Sequence, residues 1–106
     1  MDMFSALAEP TRRSILELLA LKGELSATDI SDKFKVSPPA ISQHLKVLRE
    51  ANLVEMEKRA QQRIYQINPD KMDELEVWVK KLKANWDARF DRLDEVLKME
   101  KAKLIK

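Results

Sequence analysis

The residues with most chemistry to offer lie between positions 37 and 63. On a helical wheel of residues 37–52 with Ile41 at zero, Leu45, Leu48 and Asn52 fall within about 20 to 40° of it and form a buried side. Pro39, Gln43, Lys46 and Glu50 lie opposite, with Ser42 on one flank and Ala40 and Val47 on the other. A carboxamide such as Gln43 can bond adenine N6 and N7 together, a serine donates or accepts, and a lysine reaches guanine or phosphate. Ala40 is small enough to let a helix approach a base, and the N–H groups exposed behind Ser37 suit a phosphate. The face therefore fits the edge of a nucleic-acid duplex, although the same residues also suit a plain solvated helix.

Further cations extend this pattern. Lys58, Arg59 and Arg63 flank the polar stretch 60–62, and between residues 33 and 63 seven cations face three carboxylates, although the whole chain carries only +2. Arg12 and Arg13 occupy the first turn of another helical run, where the helix dipole disfavours positive charge, so a phosphate, a carboxylate partner or an internal salt bridge should hold them. Cys is absent, which excludes disulfides, thiolate catalysis and every sulfur-ligated metal site. The single histidine, His44, borders the apolar stripe as a contact or a hydrogen-bonded boundary residue. Asp87, Asp91, Asp94 and Glu95 interleave with Arg89, Arg92 and Lys98, a pattern of i,i+4 pairing rather than a metal site. No nucleophile, base and orienter converge and no Gly-rich phosphate loop exists, so neither an enzyme nor a cofactor is expected.

The elements that must position these residues are legible from their caps. Pro10 opens a helical run with Ile15, Leu18 and Leu19 on one face, and Gly23, the only glycine, ends it. Ser26 and Asp29 resemble a capping box for a short helix carrying Ala27, Ile30 and Phe34. Ser37 and Pro38 then cap and open the next, so that a tight turn joins two helices in a helix-turn-helix. Residues 53–57 and 63–67 alternate apolar with polar and predict a two-stranded hairpin. Asn68 and Pro69 begin a long final helix with Leu75, Val79, Leu82, Trp86, Phe90, Leu93 and Leu97 at steps of three or four. At about 1.5 Å per residue it would reach on the order of 50 Å, too long to be covered by so small a body. A second copy of the same helix would bury its stripe, including Trp78. The 106 residues, 44% hydrophobic and 36% charged, thus predict one mainly helical domain (1–106) with a small β-hairpin. Residues 1–68 would be its core and 69–104 a dimerisation helix. No spanning segment or signal peptide is visible, which predicts a cytoplasmic protein without membrane contact.

Two separate motifs carry a resemblance. Leu7-Ala8-Glu9-Pro10-Thr11-Arg12-Arg13-Ser14-Ile15-Leu16, followed by Ser37-Pro38-Pro39-Ala40-Ile41-Ser42-Gln43-His44-Leu45-Lys46-Val47-Leu48-Arg49-Glu50-Ala51-Asn52-Leu53-Val54, resembles the ArsR (ArsR/SmtB) family of bacterial winged-helix regulators. The resemblance runs from about Phe4 to Pro69. It implies a winged helix-turn-helix, a homodimer built from the first and last helices, and repression through a palindromic operator. Carried onto this chain, Ser42, Gln43 and His44 stand at the DNA-facing motif, and the wing is residues 57–63. Phe4, Leu75, Trp78, Val79, Leu82, Trp86, Phe90 and Leu93 fall to the dimer interface. The chain departs from the pattern where Glu9 replaces the usual Asp and where the wing lacks its usual Gly. The family's metal sites need Cys, or several His on the last helix, and this chain offers neither, so no metal is expected and the inducer stays open. The competing reading is a winged-helix adaptor that binds another protein through its long amphipathic helix.

Overall fold

The computed structural model describes the backbone of residues 2–104, and the side chains of those residues except 90, 91, 94, 95 and those from 99 onward. Two compact units, Met1–Met72 and Asp73–Lys106, emerge. The first holds helices α1 (Met3–Leu7), α2 (Pro10–Lys22), α3 (Ala27–Asp32) and α4 (Pro38–Glu50), and strands β1 (Glu24–Ser26), β2 (Val54–Arg59) and β3 (Gln62–Ile67). Helix α5 (Pro69–Leu104) begins there and makes up the second unit. The fold is mainly helical, as the sequence predicts.

Local caps set most boundaries. Glu9, despite replacing the shorter Asp, does cap α2: its carboxylate accepts the Arg12 N–H at 2.9 Å. Ser26 and Ser37 accept from Asp29 N and Ala40 N, respectively. Gly23 follows α2 with φ 88°, a conformation that side chains resist. Asn68 accepts the Asp70 N–H at 3.1 Å, while its amide donates to the Asn52 carbonyl at 2.9 Å, tying the start of α5 to the end of α4.

The core collects Ile15 and Leu19 from α2, Ile30 from α3, Ile41, Leu45 and Leu48 from α4, and Leu53 and Val54 beyond it. The structure corrects one expectation and adds two elements to those predicted. Helix α4 ends at Glu50, and Asn52 is exposed with φ 61° instead of lying on the buried side, because a left-handed turn breaks the wheel. The hairpin is two strands of a three-stranded antiparallel sheet, ordered β1-β3-β2, since Glu24–Ser26 pairs with Ile64–Gln66. Before Pro10 lies a further helix, α1, capped by Asp2 and buried through Met3 and Ala6.

The wing turns without glycine. Arg59 pairs with Gln62 across a two-residue loop, Ala60-Gln61, in which Ala60 takes φ 54°. A positive φ at the first central residue alone is the pattern of a type II′ turn. Within α5, Trp78, Val79, Leu82, Trp86, Leu93, Val96 and Leu97 are exposed, Leu75 is half-buried, and Glu76 pairs with Lys80 one turn on. Among the described residues no helix is long and apolar enough to cross a membrane.

Candidate nucleic-acid interface

Helix α4 buries Ile41, Leu45 and Leu48 and thereby turns its other side outward. Pro39, Ser42, Gln43 and Lys46 are exposed, and Ala40 is half-exposed beside them. Ser37 is committed to its cap at 3.3 Å from Ala40 N. The side chains of Ser42, Gln43 and Lys46 have no hydrogen-bonding or ionic partner among the described residues. Ser42 also borders a shallow groove shared with Thr28 and Ser31 of α3, two hydroxyls that sequence reasoning did not single out.

His44 faces inward from the edge of this surface. Its Nδ1 lies 3.3 Å from an Arg12 guanidinium nitrogen and 3.8 Å from the Glu9 carboxylate, which joins α4 to the start of α2. Burial pushes the Glu9 carboxyl up, but the Arg12 amide, the His44 ring and Thr11 outweigh it and hold the carboxyl below its usual range.

The two arginines of α2 have partners the sequence did not suggest. Arg12 donates from Nε to the Ala6 carbonyl at 2.7 Å and from Nη2 to the Ser5 carbonyl at 3.3 Å. Arg13 donates to the Leu7 and Ala8 carbonyls at 2.7 and 3.1 Å. Both cations thus cap the C-terminal carbonyls of α1, where a helix dipole is negative, which resolves their awkward place at the start of α2.

Strand geometry divides the wing cations. Successive side chains of a strand point to opposite faces. The face of β2 and β3 that carries Val54, Met56, Tyr65 and Ile67 also carries Lys58 and Arg63, which pair directly across the strands and are exposed. Arg59 points to the other face with Glu55, Glu57, Gln66 and Glu24. There its guanidinium forms a two-pronged pair with Glu24, one contact being 3.0 Å, and bonds Glu57 at 3.2 Å. Hydrogen bonding to Arg59 draws the Glu24 carboxyl below its usual range, and the two carboxylates raise the guanidinium further above its own.

The residues assigned to a dimer interface divide between the units. Phe4, on α1, is about half exposed, at 46%. Leu75, Trp78, Val79, Leu82, Trp86 and Leu93 lie on α5, whereas the Phe90 side chain falls outside the described residues, as do those of Asp91, Asp94 and Glu95.

Residues 9–56 match the model of the bacterial regulatory protein, arsR family. The transcriptional repressor SdpR of Bacillus subtilis is 35% identical over 78 residues, which is 74% of this chain and 86% of that protein. The chain belongs to the ArsR family. The arsenical resistance operon repressor of Staphylococcus xylosus is 37% identical over 67% of each chain. An ArsR-like transcriptional regulator from Rhodococcus sp. RHA1 superposes with a TM-score of 0.74 at 28% identity, over 88% of this chain and 87% of that one. As an ArsR-family member with a winged helix-turn-helix, the protein is a DNA-binding transcriptional regulator and not an enzyme.

Proposed function

We propose that two copies of the chain pair through α5 and bind a palindromic operator as a repressor, with residues 1–68 reading DNA and 69–104 serving dimerisation in the cytoplasm. One observation carries the reading. The exposed Ser42, Gln43 and Lys46 of α4 lie in an element that packs on β2, and at the end of β2 Lys58 stands directly opposite Arg63. Like charges facing each other across strands are unfavourable by themselves, and an anion between them reverses the sign. A phosphate is such an anion, and base edges suit the polar helix face. In this division Gln43 and Ser42 read bases, Lys46, Lys58 and Arg63 meet phosphates, and Pro39 and Ala40 allow close approach. Ser37 caps the reading helix, and His44 ties it to Arg12 on α2, while Arg13 holds the end of α1. The apolar stripe of α5 is longer than a solitary small protein leaves in water, which supports pairing of two copies.

Selection of duplexes from a randomised pool by the full chain tests this. The expected product is an inverted repeat whose half-sites are about one helical turn, or about 34 Å, apart, bound by two chains. Equally weak, salt-sensitive binding to selected and shuffled duplexes would refute it.

A further inference from the structure

We propose that Arg59 is not a DNA contact but a positioning residue: clamped by Glu24 and Glu57 on the outer face of the sheet, it fixes the wing so that Lys58 and Arg63 on the opposite face meet the phosphates. The inference rests on the DNA-binding reading.

Register supplies the first argument. Strand β1 pairs with β3 only along Ile64–Gln66, so residues 58–63 form a two-stranded ribbon that runs past the third strand. A two-stranded ribbon is marginal in water and bends and twists freely. Arg59 sits at the end of that ribbon and reaches diagonally across β3 to Glu24 on the far strand, while Glu57 holds the same guanidinium from its own strand. Ends otherwise independent are thereby tied to the rigid part of the sheet.

The second argument is chemical. A guanidinium bound through two nitrogens to one carboxylate has its direction fixed as well as its charge satisfied. To reach a phosphate, Arg59 would have to leave two carboxylates and cross to the face that carries Lys58 and Arg63. Those two need no such rearrangement, because they already share a face and are exposed. The clamp also spaces the charges of the wing, keeping the guanidinium on the acidic outer face and leaving Lys58 and Arg63 as the charged residues that β2 and β3 present on the inner face.

Charge reversal separates the roles. The probe is a fluorescein-labelled duplex that the unmodified chain has selected, titrated by anisotropy across a salt series. If Arg59 touched phosphate, Glu24→Arg would free it and add a cation, so binding would hold or tighten. As a positioning residue it instead requires Glu24→Arg to weaken binding about fivefold, the scale of a surface ion pair. The double variant Glu24→Arg with Arg59→Glu should return to within about twofold, with an unchanged slope of log K against log salt; loss of a phosphate contact would make that slope shallower by about 0.9. Amide exchange of residues 58–63 in the DNA-free protein should quicken in Glu24→Arg and recover in the double variant. Undiminished binding by Glu24→Arg, or a double variant as weak as Arg59→Glu alone, would overturn the proposal. If the unmodified chain selects no duplex, the DNA-binding reading fails, and the exchange measurement still decides the clamp: unchanged exchange in both single variants overturns it.

Discussion

Replacing Arg12 with alanine tests whether this cation holds the fold or the ligand. The side chain makes one short bond at 2.7 Å to the Ala6 carbonyl and longer ones at 3.3 Å to the Ser5 carbonyl and to His44. A charge-assisted bond to a part-buried carbonyl contributes about 1.5 to 3 kcal/mol net, and bonds near 3.3 Å add little, so about 2 kcal/mol is expected to be lost. For a unit of this size that lowers the melting midpoint by roughly 8–16 °C. Circular dichroism reads the midpoint, and amide exchange should show α1 opening before the rest. Arg12→Lys should recover less than half, because a single ammonium nitrogen cannot reproduce the three separated nitrogens with which the guanidinium reaches Ala6, Ser5 and His44. Arg13→Ala, whose bonds are exposed, should cost about 1 kcal/mol. A midpoint within about 2 °C of the unmodified chain, combined with weakened DNA binding and a shallower salt slope, would show that Arg12 is a phosphate ligand and that its carbonyl bonds are incidental.

The remaining predictions concern reading, pairing, acid and the wing turn. Gln43→Ala should cost about 1 to 3 kcal/mol and relax base preference, whereas Lys58→Ala should weaken all duplexes alike and flatten the salt slope by about 0.9; equal, sequence-independent losses in both would end this division of labour. Trp86→Asp should give monomers in sedimentation and lose tight operator binding although each reading helix is intact, and unchanged affinity would assign the distal helix another role. Glu9 and Glu24 have carboxyls lowered from 4.5 in the folded chain, so below that pH the unfolded chain takes up protons first. Their stabilisation is complete above 4.5 and is lost as pH falls through the lowered folded values, and Glu9→Gln should therefore make the acid side of a melting-midpoint profile less steep. Ala60→Gly should stabilise the chain by up to about 1 kcal/mol in urea unfolding, since φ 54° costs an L-residue about 1–2 kcal/mol and glycine's extra unfolded freedom offsets part of that; a loss of stability would contradict the turn geometry.

Caps and periodicity are local, and what they govern was legible. Ser26, Ser37 and Asn68 mark their helices because each side chain accepts an N–H within three residues of itself, and the prolines at 10, 38 and 69 because they lack the N–H that a first turn leaves unpaired. The exposed face of α4 follows from the 3.6-residue period, up to the point where Asn52 leaves it. Strand β1 was not legible: three residues carry no period, and Glu24–Ser26 becomes a strand only because β3 offers it an edge. Helix α1 is likewise five residues long and is held by Arg12 and Arg13 from the next helix. The partners of those arginines were therefore hidden along with it.

The wing shows a different kind of miss. Lys58 and Arg59 are neighbours in sequence, yet the period of two that identifies the strand places them on opposite faces. Applied to the charges as well as to Val54 and Met56, that parity would have separated them. What it could not supply is Glu24, which is 35 residues away and comes within reach only through the sheet order β1-β3-β2. The cations consequently sort by chemistry. Arg12, Arg13 and Arg59 use the planar fork of guanidinium to bind carbonyls or carboxylates of the chain itself. Lys46, Lys58 and Arg63 engage no carboxylate among the described residues, so their charge is available to a polyanion. A modest net charge of +2 is then no argument against DNA binding, because Glu24 and Glu57 neutralise Arg59 and Glu76 pairs with Lys80, while the cations that face outward from α4 and the wing meet no carboxylate among the described residues.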